Sequence, residues 1–199
     1  MPERTTIKQL DARSVRALAH PLRVRILYSL RADGPGTATT LGERLGESSG
    51  ATSYHLRVLA EHGFVDEDTS RGRGRERWWR AVHDMTSWRP GQFRDDPDAQ
   101  AAEEWLSGSV ARHGMELLDD WVHRRASTDP AWVAVSDLSD YGPVMTAGQL
   151  RALLDEVREV ILRHQDAAAG TPDPAPGPEG HPARRVHVLL YAFPAGDDS

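Results

Sequence analysis

The chain has 199 residues, 39% of them hydrophobic, which is enough to bury one core and a second, smaller one. It contains no cysteine, so thiolate metal binding, disulfide switching and a cysteine nucleophile are excluded. No apolar run approaches the roughly 18 residues of a membrane span. Because the N-terminal Met-Pro-Glu-Arg also lacks the apolar core of a signal peptide, we expect a cytoplasmic protein without membrane contact.

The net charge of −6 hides a contrast between the two halves of the chain. Residues 1–90 contain 15 Arg or Lys and 11 Asp or Glu, a balance of +4, whereas residues 91–199 contain 9 and 19, a balance of −10. An anionic partner would therefore meet the first half and be repelled by the second. The Arg89-Pro90-Gly91 sequence predicts a boundary between two domains, 1–90 and 91–199.

Apolar residues at helical spacing between Ser14 and Leu30 predict two helices, and Pro21 suits the first turn of the second. Thr39 is a predicted cap for a third helix, which ends at Gly46. After the turn Gly46-Glu47-Ser48, a fourth helix should bury its apolar face. Its predicted buried residues are Thr52, Leu56 and Leu59.

The opposite face of this fourth helix is small and polar. A recognition helix needs such a surface, because it must fit the major groove closely and present donors and acceptors to bases and phosphates. Tyr54 and Arg57 have the longest reach. The residues on this face are Ser49, Gly50, Ser53, Tyr54 and Arg57.

A β-hairpin is predicted next, with strands at 64–69 and 77–82. Its turn places Arg71, Arg73 and Arg75 between glycines, so their guanidinium groups could follow a phosphate ridge or enter a minor groove. An arginine-glycine turn can also be a merely solvated hairpin. The chain has 23 arginines against the single Lys8, so arginine here is also a compositional preference.

The Ala-Leu-Ala-His-Pro-Leu-Arg-Val-Arg-Ile-Leu string at 17–27, Ser-Tyr-His-Leu-Arg-Val-Leu at 53–59 and His-Gly-Phe-Val at 62–65 resemble the ArsR-type winged-helix transcriptional regulators over about residues 10–83. The resemblance implies a homodimeric DNA-binding regulator, usually a repressor, whose effector binds elsewhere. It also implies DNA-reading positions, which fall on Ser48, Ser49, Gly50, Ser53, Tyr54 and Arg57. The cysteine pair that many members carry in the helix at 41–45 is missing, so soft-metal sensing is excluded.

Histidines and carboxylates recur on one stretch of the second half. His113, Glu116, Asp119 or Asp120, and His123 could share one helix face and hold a metal ion. A helix rich in acids and histidines is more often a solvated face, so we assign neither a metal nor a cofactor. His20 and His55 are interpreted as structural.

The second half should begin with a long helix, which Asp96 caps and Pro97 opens and which runs to about Arg125. Its apolar stripe is too extensive to stand alone, and a second copy of the same helix would cover it, so we expect dimerisation there. The stripe consists of Ala102, Trp105, Leu106, Val110, Leu117, Leu118 and Trp121.

The remainder reads as a small α+β unit with strands at 132–136, 141–145 and 185–194. A helix at 147–164 follows a Thr146/Gln149 capping box, and the proline-rich segment 167–183 should be mobile. The fold class is thus mainly α with a small β part. Aromatic side chains of this half line a pocket for an apolar effector or form a core, namely Trp105, Trp121, Trp132, Tyr141, Tyr191 and Phe193.

Three classes of function were compared. A DNA-binding regulator that recognises an inverted repeat fits the order of helix, turn, helix and basic hairpin. A winged helix that contacts proteins instead would need an exposed apolar stripe on the recognition helix. An enzyme is not predicted, because the sequence has neither a GxSxG, a Walker-type loop nor an HExxH motif.

Overall fold

The computed structural model describes residues 5–71, 76–169 and 182–196. The chain divides into two compact units, an N-terminal unit of Thr6–Met115 and a C-terminal unit that combines Met1–Thr5 with Glu116–Ser199. In the described parts of the chain, no helix combines the length and apolar character that crossing a bilayer requires.

The N-terminal unit is a helical domain with two small sheets. A three-stranded antiparallel sheet has the order β2-β4-β3, and a parallel pair joins β1 to β5. The elements in chain order are β1 (Ile7–Gln9), α1 (Ala12–Leu18), α2 (Pro21–Asp33), β2 (Gly36–Thr37), α3 (Ala38–Leu45), α4 (Ser49–Glu61), β3 (Val65–Glu67), β4 (Trp78–Ala81), β5 (Met85–Ser87) and α5 (Pro97–Arg124).

Helix α2 begins at Pro21, as the sequence predicts, whereas α1 begins at Ala12, two residues before the predicted Ser14, and local caps explain both starts. Asp11 Oδ1 accepts the Ser14 N–H at 2.7 Å and starts α1. His20 Nδ1 accepts the Leu22 N–H at 3.1 Å, and Pro21 is the first residue of α2. His20 is therefore a structural cap, as predicted.

Helix α3 is capped by Thr37 and not by Thr39, which lies inside the helix. Thr37 Oγ1 accepts the Thr40 N–H at 3.2 Å, and Thr40 Oγ1 accepts the Thr37 N–H at 2.8 Å. This reciprocal capping box satisfies two backbone donors at once, whereas a cap at Thr39 would satisfy one. The correction moves the start of α3 two residues earlier, to Ala38, and leaves Gly46 as the residue that ends the helix.

Helices α3 and α4 pack closely, and Gly42 permits the approach. A Cβ at this position would lie 2.8 Å from the Glu47 carbonyl oxygen, closer than real Cβ contacts allow. The Glu47 N–H in turn donates to the Gly42 carbonyl at 2.8 Å. The turn is completed by Gly46, whose φ of +67° is the left-handed conformation that favours glycine.

The core of the N-terminal unit is built from α1, α2, α3, α4 and the strands, and it also takes in the first half of α5. Ala99 and Leu106 are buried in it, and Trp105 packs against it. The N-terminal half of the predicted apolar stripe is therefore covered within its own chain, because it closes the domain that precedes it.

A polar network also anchors α5 to this unit. Trp88 Nε1 donates to Glu103 Oε1 at 3.2 Å and lies 3.1 Å from Ser107 Oγ, while the Ser107 hydroxyl donates to Glu103 Oε1 at 2.6 Å. Glu103 is only 4% exposed, so these hydrogen bonds replace the water that a carboxylate needs. The network ties the segment after β5 to α5.

The C-terminal unit is helical. Beyond α5, a 3-10 turn covers Arg125–Ser127, and two helices follow, α6 (Pro130–Ala134) and α7 (Ala147–Ala169). The predicted capping box at the start of α7 is confirmed, because Thr146 Oγ1 accepts the Gln149 N–H at 3.3 Å and Gln149 Oε1 accepts the Thr146 N–H at 2.9 Å. The helix extends past the predicted end at His164.

The strands predicted in this unit are wrong. Residues 132–136 mostly belong to α6, because Asp129 accepts the Ala131 N–H at 3.0 Å and Pro130 opens a helix, signals that outweigh β-branched composition. Residues 141–145 and 185–194 form no strand. Within 167–183, residues 167–169 continue α7, while 170–181 lie outside the described residues. The mainly α fold class with the winged helix and the long α5 is confirmed.

We predict that Gly42→Ala lowers the free energy of unfolding by roughly 1–3 kcal/mol, since the added methyl forces α3 and the following turn apart. Urea unfolding monitored by circular dichroism measures this loss. Gly50→Ala is the matched control: a Cβ there meets nothing within 4 Å, so helix propensity should raise stability by about 0.5–1 kcal/mol. Equal stability of Gly42→Ala and the parent would contradict the close approach.

Candidate nucleic-acid interface

Helix α4 is fixed on the domain by its inner face. Thr52, Leu56 and Leu59 are 0% exposed, as the sequence predicts. The Thr52 hydroxyl donates to the Ser48 carbonyl at 3.0 Å, and Ser48 Oγ caps the helix by accepting the Ala51 N–H at 3.2 Å. Because both the apolar face and the first turn are held, the direction in which the outer face points is fixed.

The outer face of α4 carries the side chains that the sequence predicts for DNA reading. Ser48, Ser49, Gly50 and Arg57 are exposed, Tyr54 is 56% exposed, and Ser53 is half-buried. Arg57 Nε donates to the Ser53 carbonyl at 3.3 Å, which leaves the rest of its guanidinium at the surface. The structure therefore brings all six positions to one side of one helix.

A cluster of rings and one arginine supports this face from α2. The His20 and His55 rings lie 4.3 Å apart, and the Tyr54 ring meets His55 edge-on at 5.0 Å. Burial lowers the pKa values of both histidines, and nearby Arg23 lowers them further. His55 therefore helps to hold α4 on the domain, in agreement with its interpretation as a structural residue.

Arg23 is a residue of this site that sequence reasoning missed. Its guanidinium lies close enough to Tyr54 and His55 to interact with both electrostatically, and burial lowers its own pKa. Its Nε is buried without a hydrogen-bond partner. An arginine that is half-buried beside the recognition face stays charged. Because its side chain has little freedom, the position of this charge is fixed.

A second arginine of α2 holds the turn. Arg25 Nη1 lies 3.1 Å from Glu47 Oε1, and its Nη2 donates to the Leu45 carbonyl. The charge distribution of the sequence could have indicated that α2 contributes basic residues to this site. Residues 1–36 contain seven basic and three acidic residues, so the whole +4 of the first half is concentrated in the segment with α1 and α2.

The wing is formed by the antiparallel strands β3 and β4, and its described arginines form ion pairs with nearby carboxylates. Arg80 lies 3.5 Å from Asp66, Arg77 3.9 Å from Glu67, and Arg71 3.5 Å from Asp68. The pairs of Arg80 and Arg77 are exposed and stabilise by only about 0–1 kcal/mol each, so a phosphate can replace the carboxylate, whereas the Asp68 side chain is only 12% exposed. A hydrogen bond from Ser70 also lowers the pKa of Asp68. Arg73 and Arg75 lie outside the described residues.

The segment that follows β4 is held by a half-buried arginine. Arg31 Nε donates to the His83 carbonyl at 2.9 Å, and its Nη2 donates to Thr86 Oγ1 at 2.8 Å. Burial lowers the pKa of Arg31 to about 10, which still leaves it charged at neutral pH. The wing is therefore fastened to the same helix, α2, that supports α4.

The structure does not group all of the other predicted site residues. Of the predicted pocket residues, Tyr141 and Phe193 are largely exposed and so belong to no core. His113 stacks on Tyr28 at 4.8 Å, and His123 Nδ1 contacts its own helix at the Asp119 carbonyl. Over the described ranges, no three His, Asp or Glu side chains are grouped as metal ligands.

Comparison with known protein families adds an independent observation. Residues 18–68, about a quarter of the chain, match the model of a helix-turn-helix domain family. This part of the chain is a helix-turn-helix domain. The antiparallel strands β3 and β4 that follow α4 give it the winged form, so the resemblance to winged-helix regulators seen in the sequence is confirmed here. The comparison with curated proteins gave no match.

Solved structures similar to the chain include three bacterial examples. Reduced HlyU from Vibrio cholerae is 29% identical, covering 35% of this chain and 73% of that one, with a TM-score of 0.30. A homodimeric winged helix-turn-helix DNA-binding domain from Mycobacterium bovis, described as a possible ArsR-family regulator, is 23% identical, covering 53% and 81%, with a TM-score of 0.34. A MarR family regulator from Neisseria meningitidis is 15% identical, covering 75% and 80%, with a TM-score of 0.34.

We predict that stability falls as the pH drops below about 6.5, the ordinary histidine pKa. Burial lowers the pKa values of His20, His55 and His83, so the unfolded chain binds more protons than the folded one in this window. Urea midpoints at about pH 7.5 and about pH 5.5 measure the effect. His55→Gln should reduce the difference, whereas His164→Gln, exposed on α7, should not. The same midpoint at both pH values would refute the prediction.

Proposed function

We propose that the protein is a non-catalytic, sequence-specific DNA-binding transcriptional repressor that acts in the cytoplasm as a homodimer on an inverted-repeat operator. The observation that carries the proposal is the fixed orientation of α4: three inner residues are fully buried, and small polar side chains with one arginine face outward. That outer surface suits insertion into a major groove, where Arg57 can pair with a base and the serines with phosphates.

The distribution of charge supports the same orientation. The arginines of α2 flank the recognition face, with Arg23 beside Tyr54 and Arg25 at the turn. The second half of the chain, with its balance of −10, would be held away from a phosphate backbone. In this proposal Arg71, Arg73 and Arg75 contact the DNA backbone or minor groove beside the site that α4 reads.

The homodimer is supported by the distal half of α5. Helix α5 spans 28 residues, about 42 Å at 1.5 Å per residue, and only its first half is covered by the domain core. Met115 and Val122 are exposed on the remainder, while Leu117, Leu118 and Trp121 are half-buried. A two-fold pairing of this part would place two recognition helices on half-sites about one helical turn apart.

Regulation by a ligand would proceed without thiol chemistry, since the chain has no cysteine. A small apolar effector fits the aromatic side chains of the C-terminal unit better than a metal ion does, and Trp121 and Trp132 are the half-buried members of that group. A protein-binding winged helix is a weaker alternative, because Tyr54 is the one large apolar side chain exposed on the described α4.

Selection of sites from random duplex DNA by the purified full-length chain tests the proposal. The affinity for the selected duplex is then measured at two salt concentrations. We expect an inverted repeat, and an affinity that falls steeply with salt because arginines displace counterions. Absence of any enriched sequence, with weak binding that disappears at moderate salt, would reject sequence-specific recognition.

Arg57→Ala should weaken binding to the selected operator by about 1–3 kcal/mol and reduce the discrimination against unrelated DNA, if Arg57 contacts a base. Arg71→Ala, on the wing, should instead weaken binding to all sequences equally and make the salt dependence shallower. Fluorescence anisotropy with operator and scrambled duplexes measures both. An Arg57→Ala protein with the parent's affinity and selectivity would contradict the assignment of α4 as recognition helix.

A further inference from the structure

Two histidine rings lie in the contact between α2 and α4. His20 is the N-cap of α2, and His55 is in the middle of α4. Both residues are half-buried, and their ring centroids are 4.3 Å apart, so the rings touch across the two helices. Tyr54 extends the contact on the α4 side, because its ring meets His55 edge-on at 5.0 Å. The histidine pair, His20 and His55, therefore joins the start of α2 to the helix proposed to read DNA.

The geometry of the histidine pair suits neutral rings only. A histidine ring is charged when both of its nitrogens carry a proton. His20 Nδ1 accepts the Leu22 N–H at 3.1 Å, so a proton on this nitrogen would break the hydrogen bond that caps α2. His55 Nδ1 is buried and has no hydrogen-bond partner among the described residues. The neutral ring can keep its proton on Nε2, whereas the charged ring would need an N–H on Nδ1 that nothing in the described chain accepts.

The charges around the histidine pair also oppose its protonation. Burial is the largest cause of the lowered pKa values of both rings. The His20 ring and Arg23 lower the pKa of His55 further, and Arg23 also acts on His20. Glu47, in the turn before α4, has the opposite effect on His55, but its carboxylate already pairs with Arg25 at 3.1 Å. A proton on either ring would thus meet the fixed charge of Arg23 and the positive end of the α2 dipole.

We propose that the histidine pair makes DNA binding sensitive to pH: protonation of His20 and His55 loosens the contact that orients α4, and the protein then releases its operator. The inference rests on the proposed function and adds a means of regulation to the same helix. The proton itself is the signal, so the response requires no bound effector. Leu56 and Leu59 hold the inner face of α4 by apolar packing that does not titrate, so the expected response is a displaced helix within a folded domain.

Acidification favours the loosened contact. Loosening exposes both rings to water, where their pKa values return to about 6.5, whereas burial keeps them lower in the intact contact. The loosened state therefore binds more protons than the intact one, and its population grows as the pH falls below about 6.5. Each pH unit below that value shifts the equilibrium by up to about tenfold per ring. Operator binding should thus be strongest near neutral pH and weaken in acid.

The affinity of the full-length chain for its selected operator, measured by fluorescence anisotropy at about pH 7.5 and about pH 5.5, tests the inference. We expect binding about tenfold weaker at the lower pH. His20→Asn keeps a side chain that can cap α2 but does not titrate, and His55→Gln removes the second titrating ring. The double variant should lose most of the pH dependence. His83→Gln is the matched control and should keep it, because His83 is also half-buried but lies after β4.

Amide hydrogen exchange of the free protein is a second measurement, which needs no DNA. Protection factors at the same two pH values are compared between α4 and the buried part of α5. In the parent, those from Thr52 to Leu59 should fall in acid more than those of Ala99 and Leu106, because loosening is local to the α2–α4 contact. In the double variant, the two helices should respond alike.

The outcomes separate this inference from the proposed function. Operator binding that is equally tight at both pH values, or tighter in acid because charged rings attract phosphates, would overturn the inference and leave the proposed function in place. The same pH dependence in the parent and the double variant would also overturn it. Failure to bind any DNA at about pH 7.5 would reject the proposed function. Hydrogen exchange then decides whether the histidine pair responds to protons, and equal changes in α4 and α5 of the parent would show that it does not.

Discussion

The close contact between α3 and α4 is the constraint on which the rest of the site depends. It exists because Gly42 leaves room for the Glu47 carbonyl oxygen and because Leu56 and Leu59 fill the core beneath α4. Once these are in place, the polar face of α4 can point only outward. The serines, Tyr54 and Arg57 then lie together on this outer face.

Helix α2 provides the second level of organisation. Arg25 holds the turn before α4, the His20 ring packs against His55, and Arg31 fastens the base of the wing. The two parts of the proposed DNA surface are thus mounted on one rigid helix. The same helix contributes Arg23, so the support of the recognition face and part of its positive charge come from one element.

The sequence predicted the N-terminal unit well because its signals are local and agree with one another. Helical spacing, Pro21, the glycines at turns and the buried stripe of α4 all point to the same structure. The misplaced cap of α3 shows the limit of this reasoning, since Thr37 and Thr39 are chemically alike and only the position of Thr40 decides between them. Arg23 was missed because its role depends on a contact between two helices that are distant in sequence.

The C-terminal unit was predicted less well for a different physical reason. At 132–136 the local cap Asp129-Pro130 starts a helix in a run whose composition favours a strand. The runs at 141–145 and 185–194 have strand composition but form no strand in the structure, and a strand exists only when it is paired. Composition indicates that a segment can form a strand, but it does not indicate which other segment would pair with it.

In the proposed function, the outer face of α4 contacts DNA while its inner face stays packed. Backbone amide signals followed by NMR as an operator duplex is added test it directly. We expect large shifts from Ser48 to Arg57 and at Arg71, with little change in hydrogen exchange at the buried Leu56 and Leu59. Shifts confined to residues 116–199, with α4 unaffected by saturating duplex, would contradict it.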